Sequence, residues 1–384
     1  MRGKISDNTG YSKNILTKQW LKNPHPKQVW ILTQLHRSYK MNVDLLKKLC
    51  FASGVSGAEK EIRELISALV PCDETTTDKA GNLICIKKSE DENAPTLLID
   101  AHMDNVGLCV KEVCEKGFLK FSCVGGVDER LLPAAKVLVH GKNKDVFGVI
   151  ATKPPHLMKK EDKTAPVKSE NMFVDTGDNA EGIEVGTRIS YLPKVTELLN
   201  SVSATYLDNR LGCMAIIELF CAIKNEKLPF NLKAVFSVGE EIGLKGSKYG
   251  EFDADMALVL DVTFGKTPDE ESDEALTVGG GCAIGIGPNM HKEISSMLEE
   301  TAKKEQIPYQ TEVLEGSSGT NAWMYQVYKT GIPCGLLSVP IKYMHTPVET
   351  VRNSDYISNK ELLVSFVKAL SAEKIREISE VKKC

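Results

Sequence analysis

Two carboxylates, Glu240 and Glu241, stand side by side where an apolar run over 232–238 stops. A turn with Gly243 and Gly246 follows. Adjacent acids at a strand exit permit a division of labour, one binding a cation and the other moving protons. The structural alternative is an acidic first helical turn, which the helix dipole favours. Four other segments that read as strand ends carry residues such a site needs. They supply His102 and Asp104 after 96–101, Asp208 in 206–212, Asp261 after 255–260, and His345 after 334–339. Among these seven candidates, two imidazoles and three carboxylates can hold two divalent cations if one carboxylate bridges them. Zinc and cobalt accept that mixed ligation. Three carboxylates against four positive charges, with one hydroxide, bring a buried site to neutrality. Each residue also has a plainer reading: a packed histidine, a helix cap at Asp208, a turn at Asp261.

The elements that would position these residues follow from patterning. Runs with little alternation, such as 96–101, predict buried strands covered on both faces. Residues 82–87, 232–238, 255–260 and 334–339 also read as strands. Helices are predicted over 211–224 and from 290 to about 304. Two capping boxes, Ser56 to Glu59 and Ser358 to Glu361, announce helices, the second with Leu362, Leu363, Phe366, Val367 and Leu370 on one face. In α/β sheets ligands sit beyond the carboxyl ends of strands, where all seven candidates fall. Over 106–197 the pattern changes to short β-type runs at 106–113, 117–124, 136–140, 145–152 and 185–191, with no amphipathic helix. This reads as a small β barrel or sandwich inserted between two halves of an α/β domain, 41–105 and 198–384.

The chain has 384 residues, enough for two domains. With 48 basic and 52 acidic side chains its net charge is −4, which argues against a nucleic-acid surface over its body. No apolar run approaches the roughly 20 residues of a membrane span. Eleven scattered cysteines form no C-x-x-C, so neither a disulfide framework nor a zinc knuckle is expected, and a reducing cytoplasm suits them. Residues 1–40 stand apart as a basic extension, with eight Lys or Arg and one acid. Three readings stay open for it: a start upstream of the native one, an arm contacting neighbouring subunits, and a transit peptide. Its modest Ser and Arg content weakens the last.

Seven segments in order carry a resemblance: 101–107 (AHMDNVG), 153–157 (KPPHL), 207–212 (LDNRLG), 239–243 (GEEIG), 261–263 (DVT), 319–322 (GTNA) and 343–349 (YMHTPVE). From about Met41 onward the chain resembles the TET-type di-metal aminopeptidases, the glutamyl and deblocking aminopeptidases, some labelled endoglucanase. The resemblance implies a three-layer α/β zinc-peptidase-like domain with a mixed sheet, and an inserted β-barrel domain that forms dimers. It implies two zinc or cobalt ions, one held by His102 and Asp261, the other by Glu241 and His345, with Asp208 as bridge. Asp104 would orient His102, and Glu240 would be general base and acid. Gly319, Thr320 and Asn321 would contact substrate. Short peptides would be cut from their N-termini inside a tetrahedral dodecamer, with no nucleic-acid or membrane partner. The Asp208–Asn209 peptide would be cis.

Three departures stand out: Asn105 for a usual Glu, Asn209 for a frequent Asp, and Asn321 for a usual Asp. With Lys266 nearby, they lead to the expectation that acidic or neutral N-terminal residues are preferred over basic ones. The alternatives are a deacylase or dipeptidase on the same metals, a glycosidase using Glu240 and Glu241, and a degenerate binding protein. His140 and His156 read as structural. Ser317 and Ser318 lack a nucleophile elbow and read as a substrate-contacting loop.

Overall fold

The computed structural model describes residues 41–158, 167–268 and 275–380. The basic extension 1–40, and every reading of it, lies outside these residues. An eleven-stranded mixed sheet forms the centre. Its order is Glu74–Thr77, Leu83–Lys87, Asn231–Ser237, Thr96–His102, Met256–Phe264, Cys334–Lys342, Glu349–Arg352, Ser201–Ala204 and Val195–Glu197. Cys282–Ile286 branches from Cys334–Lys342 and pairs with Tyr309–Val313. The four central strands are mutually parallel. Parallel neighbours must be joined by crossovers that cover both faces, which is why these four read as near-continuous apolar runs.

Alternation sorts their side chains between two cores. Leu97, Ile99, Phe236, Leu258 and Leu260 pack with the helices Val43–Phe51, Lys60–Leu69, Leu207–Ala222, Lys292–Lys304 and Asn353–Ala369. Leu98, Val235, Ala257, Val259 and Leu336 pack on the opposite face with Phe252, Met290 and Tyr325. The result is three layers, helix, sheet and helix, as expected. Asp100 and His102 continue the face of Leu98, and Asp261 and Thr263 that of Val259.

Six strands close a separate barrel in the order Gly107–Val113, Phe118–Val124, Phe173–Asp175, Asp145–Ala151, Lys136–His140 and Arg188–Tyr191. Leu108, Val110, Leu119, Phe121, Val137, Val139 and Ile150 fill it. Phe173–Asp175 escaped the sequence reading because three residues carry no usable period. Val195–Glu197 lies within the expected 106–197 insert, yet it pairs with Ser201–Ala204 at the main-sheet edge. Glu74–Thr77 was also missed; its four residues are all exposed and show no alternation.

Neither capping box forms. Helix Lys60–Leu69 begins without a side-chain cap, with Glu59 rather than Ser56 at the N-cap position; the Ser56 hydroxyl donates to Asp104 Oδ2 at 2.6 Å. Ser358 lies inside the helix Asn353–Ala369 and donates to the Ser354 carbonyl, so that helix starts six residues earlier than the motif suggests.

Tyr206 ties barrel to helix. It packs in the barrel core, its hydroxyl accepts the Tyr191 N–H at 2.7 Å, and the next residue opens helix Leu207–Ala222. Replacing Tyr206 by Phe should cost about 1–3 kcal/mol by stranding a buried N–H. A lowered urea midpoint would show this, whereas an unchanged midpoint would remove the bond from the account.

Candidate metal centre

All seven candidates converge at the carboxyl edge of the central sheet. His102 ends Thr96–His102, opposite Ser237 of the neighbouring strand. That strand runs on through Gly239, in the left-handed region at φ 61°, into a one-turn 3-10 helix, Glu240–Ile242. Asp261 lies in Met256–Phe264. Asp208 sits at the irregular start of Leu207–Ala222, and the Asp208–Asn209 peptide is cis. His345 follows Cys334–Lys342 with φ 62°.

The side chains meet around Asp208. Its Oδ1 is 3.0 Å from His102 Nε2, and its Oδ2 is 3.3 Å from His345 Nε2. His102 Nε2 lies 3.7 Å from Asp261 Oδ1 and 4.0 Å from Glu240 Oε2. His345 Nε2 is 3.3 Å from Glu241 Oε2. Two groups result, His102 with Asp208 and Asp261, and His345 with Asp208 and Glu241; a third joins His102 to both glutamates. Metal–ligand bonds of about 2.0–2.2 Å in tetrahedral geometry put neighbouring donor atoms about 3.3–3.6 Å apart. The two His345 edges, both 3.3 Å, fall in that range, and the two His102 edges, 3.0 and 3.7 Å, lie on either side of it. Glu241 Oε1 is buried without a hydrogen-bond partner, as a donor awaiting a cation would be. The donor set, N and O without thiolate, suits zinc or a neighbouring divalent ion.

Electrostatics in the free chain tell the same story. Burial pushes the Glu240 carboxyl up to about 9; the His102 charge opposes this and Asp261 adds to it. Burial, then Asp208, drives Glu241 well above the carboxylate range. Burial also raises Asp261. Burial opposes the charge on His102, but Glu240, Asp104, Asp208 and Asp261 hold its imidazolium well above the usual range. The Asp208 hydrogen bond raises His345. Burial works against Asp208 as well, yet the two imidazoles keep it below the normal range. Two imidazolium groups thus occupy the electrostatic place of two cations.

Supporting residues hold this arrangement through the main chain. Asp104 accepts the N–H of Glu240 at 3.0 Å and of Glu241 at 3.3 Å. It was expected to orient His102 with its carboxylate. The closer partner of Nδ1 is instead the Asp104 carbonyl, at 3.1 Å, with Oδ1 at 3.5 Å. Glu349 escaped sequence reasoning. It is buried, and it accepts the N–H of Asp208 at 3.1 Å and of His345 at 2.7 Å. Its sequence signals were its place four residues after His345 and at the end of the family-like segment 343–349. Gly126, just beyond the barrel strand Phe118–Val124, lies 3.1 Å through its carbonyl from His345 Nδ1. A Cβ there would come within 2.7 Å of that nitrogen, so the close approach requires glycine.

The site opens into a cavity of about 1010 Å³ lined by His102, Asp208, Glu240, Glu241, Asp261 and His345, and by Gly319 and Thr320. His345 keeps 31% of its side chain exposed and His102 only 2%, so His345 stands nearer the mouth. Asn321 is not part of the lining. Its amide is buried, donating to Asp100 Oδ2 and Ser237 Oγ and accepting from Ser247. Asn105 accepts from the buried Arg210, and Asn209 donates to the Leu260 carbonyl. None of the three asparagines, nor Lys266, faces the cavity. The expected preference for acidic or neutral N-terminal residues therefore loses its basis. Ser318 contacts Thr320 rather than a histidine. His140 is bound by Asp145 and Ser190 inside the barrel domain, as a structural residue would be.

The M42 glutamyl aminopeptidase family model matches residues 81–362. A lysyl aminopeptidase from Pyrococcus furiosus is 32% identical over 340 residues, spanning 85% of this chain and 97% of that protein. The structure of an aminopeptidase from Desulfurococcus kamchatkensis superposes with a TM-score of 0.81 at 30% identity, over 89% of this chain and 98% of that one. The TET1 peptidase of Pyrococcus horikoshii, which assembles into a tetrahedron or a large octahedral shell, gives 0.76 at 28% identity, over 85% and 99%.

Glu349→Gln sets an NH2 group against one of the two main-chain N–H donors. It should weaken divalent-cation affinity about 10- to 100-fold, as loss of a group that orients ligands does. Competition with a chromophoric chelator measures this, and an unchanged affinity would show that the clamp is dispensable.

Proposed function

The chain belongs to the M42 glutamyl aminopeptidase family and is a metal-dependent aminopeptidase, a hydrolase; on that premise we propose a two-cation site with Glu240 as its acid–base group. Zinc or cobalt ions would be held by His102 and Asp261 at one position and by Glu241 and His345 at the other, with Asp208 shared. The observation that carries this reading is Asp208 itself, whose two oxygens face two different imidazoles.

When bound, the cations would polarise the scissile carbonyl and make a water more acidic. Glu240 takes the proton from that water and returns it to the amine that leaves. It lines the cavity and is 10% exposed, placed to reach solvent-derived water while remaining in a low-dielectric setting. Its burial-raised pKa falls when positive charge arrives, toward the range where a base works near neutrality. Asp104 supports the step by fixing the main chain of both glutamates. The substrate's free α-amine binds among the carboxylates, which directs cleavage to the N-terminus.

Short peptides are the proposed substrates, taken in the cytoplasm, where the unpaired cysteines of the described residues remain reduced. Self-association is proposed through the barrel, as far as a tetrahedral dodecamer. Support comes from the assembling relative and from outward apolar side chains on Asp145–Ala151, Phe147 at 69% exposure and Val149 at 45%.

Glu240→Gln should lower kcat by about 10²- to 10⁴-fold with bound metal unchanged by elemental analysis. Full activity in that variant would end the assignment. The pKa directions give a second expectation. His102, His345, Glu241 and Asp261 are all raised, so in the free chain these groups keep their protons to higher pH than usual. Cations bind the deprotonated forms, so loading releases protons and affinity rises with pH. Calorimetry in two buffers of different ionisation enthalpy should show this release; equal heats would contradict it.

A further inference from the structure

Beyond its acids and imidazoles, the catalytic cavity has an apolar wall made by Phe264, Leu276 and Val313, and two further carboxylates, Glu312 and Glu315. Among the described residues no Lys or Arg lines it. Glu315 is exposed at the rim. Glu312 is not. It lies in Tyr309–Val313, its Oε1 accepts the Thr263 hydroxyl, and its Oε2 is buried without a well-formed hydrogen bond. Burial raises its pKa against the pull of Thr263 and Ser338, and the nearby Asp261 charge adds to the rise. Among the described residues no Lys or Arg pairs with this half-buried carboxylate, although buried acids are normally paired.

Position turns this vacancy of charge into a specificity argument. Thr263 follows Asp261 by two residues on the same strand face, a step of roughly 6–7 Å. Glu312 reaches Thr263, so its carboxyl lies about one extended side chain from Asp261, one of the carboxylates among which the α-amine is proposed to bind. Phe264, Leu276 and Val313 line the same cavity. A flexible aliphatic stem with a cationic head satisfies both parts, laying its methylenes on the wall and its charge on the acid.

We propose that Glu312 is the specificity-determining residue of the pocket for the substrate's first side chain, and that it selects lysine or arginine there. This rests on the aminopeptidase reading above and reverses the preference expected from the asparagines. An N-terminal Glu would instead bring a like charge into a low-dielectric pocket already crowded with carboxylates.

Metal-loaded wild-type protein should cleave Lys- and Arg-p-nitroanilide with kcat/KM at least about tenfold above Glu-p-nitroanilide. Glu312→Gln keeps the shape and the Thr263 contact but removes the charge. It should lower the Lys-to-Leu ratio of kcat/KM about 10- to 100-fold. Glu312→Lys should turn the preference toward Glu. The ratio is the readout because partial unfolding lowers both substrates together, and a melting curve checks the fold independently. A wild-type preference for Glu over Lys, or a ratio that Glu312→Gln leaves alone, overturns the inference while aminopeptidase activity stands. Failure to cleave any anilide, Leu included, overturns the aminopeptidase reading and this inference with it.

Discussion

Asp208 carries the constraint on which the rest depends: one buried carboxylate must face two imidazoles at once, among three more acids. Like charges packed so closely cannot all ionise unless positive charge joins them. In the free chain His102 and His345 supply it as imidazolium. With cations present, the same nitrogens become neutral donors. The fold thus prepares a site whose charge balance closes in either condition, and the exchange between the two is an exchange of protons for metal.

Holding such a site requires rigid backbone, and the sheet provides it. Parallel strands deliver His102, Asp261 and the Glu240–Glu241 turn from adjacent carboxyl ends, so their relative heights follow from strand register. Loops supply the other two groups, and each loop is held by a buried acid. Asp104 grips the glutamate turn, and Glu349 grips both Asp208 and His345. Acids therefore serve twice here, some facing the cations and others bonding to amides behind them.

Much of this was legible in the sequence. The central strands announce themselves as apolar runs because both faces are covered, and each run ends at a candidate. The barrel was visible as a change in period, apart from Phe173–Asp175, which is too short to show one. What failed were the local rules that ignore tertiary partners. Ser56 has the spacing of a helix cap, but the helix begins at Lys60, and Ser56 instead donates to Asp104. Asn321 stands beside a glycine-rich loop that lines the cavity, yet its amide turns inward to Asp100 and Ser237. Glu349 sits in a family-like segment, but its work, accepting the amide of His345 four residues back and that of distant Asp208, has no period that could assign it.

The carbonyl of Gly126 has a bearing on modularity. It belongs to the barrel's side of the chain, but it sets the ring angle of His345, which belongs to the other. An insertion that looks separable on a topology diagram is therefore keyed into the reactive machinery by a single peptide group. Trimming it away, or grafting in a foreign module of similar outline, would leave the imidazole free to swivel unless the replacement offered an oxygen at the same spot.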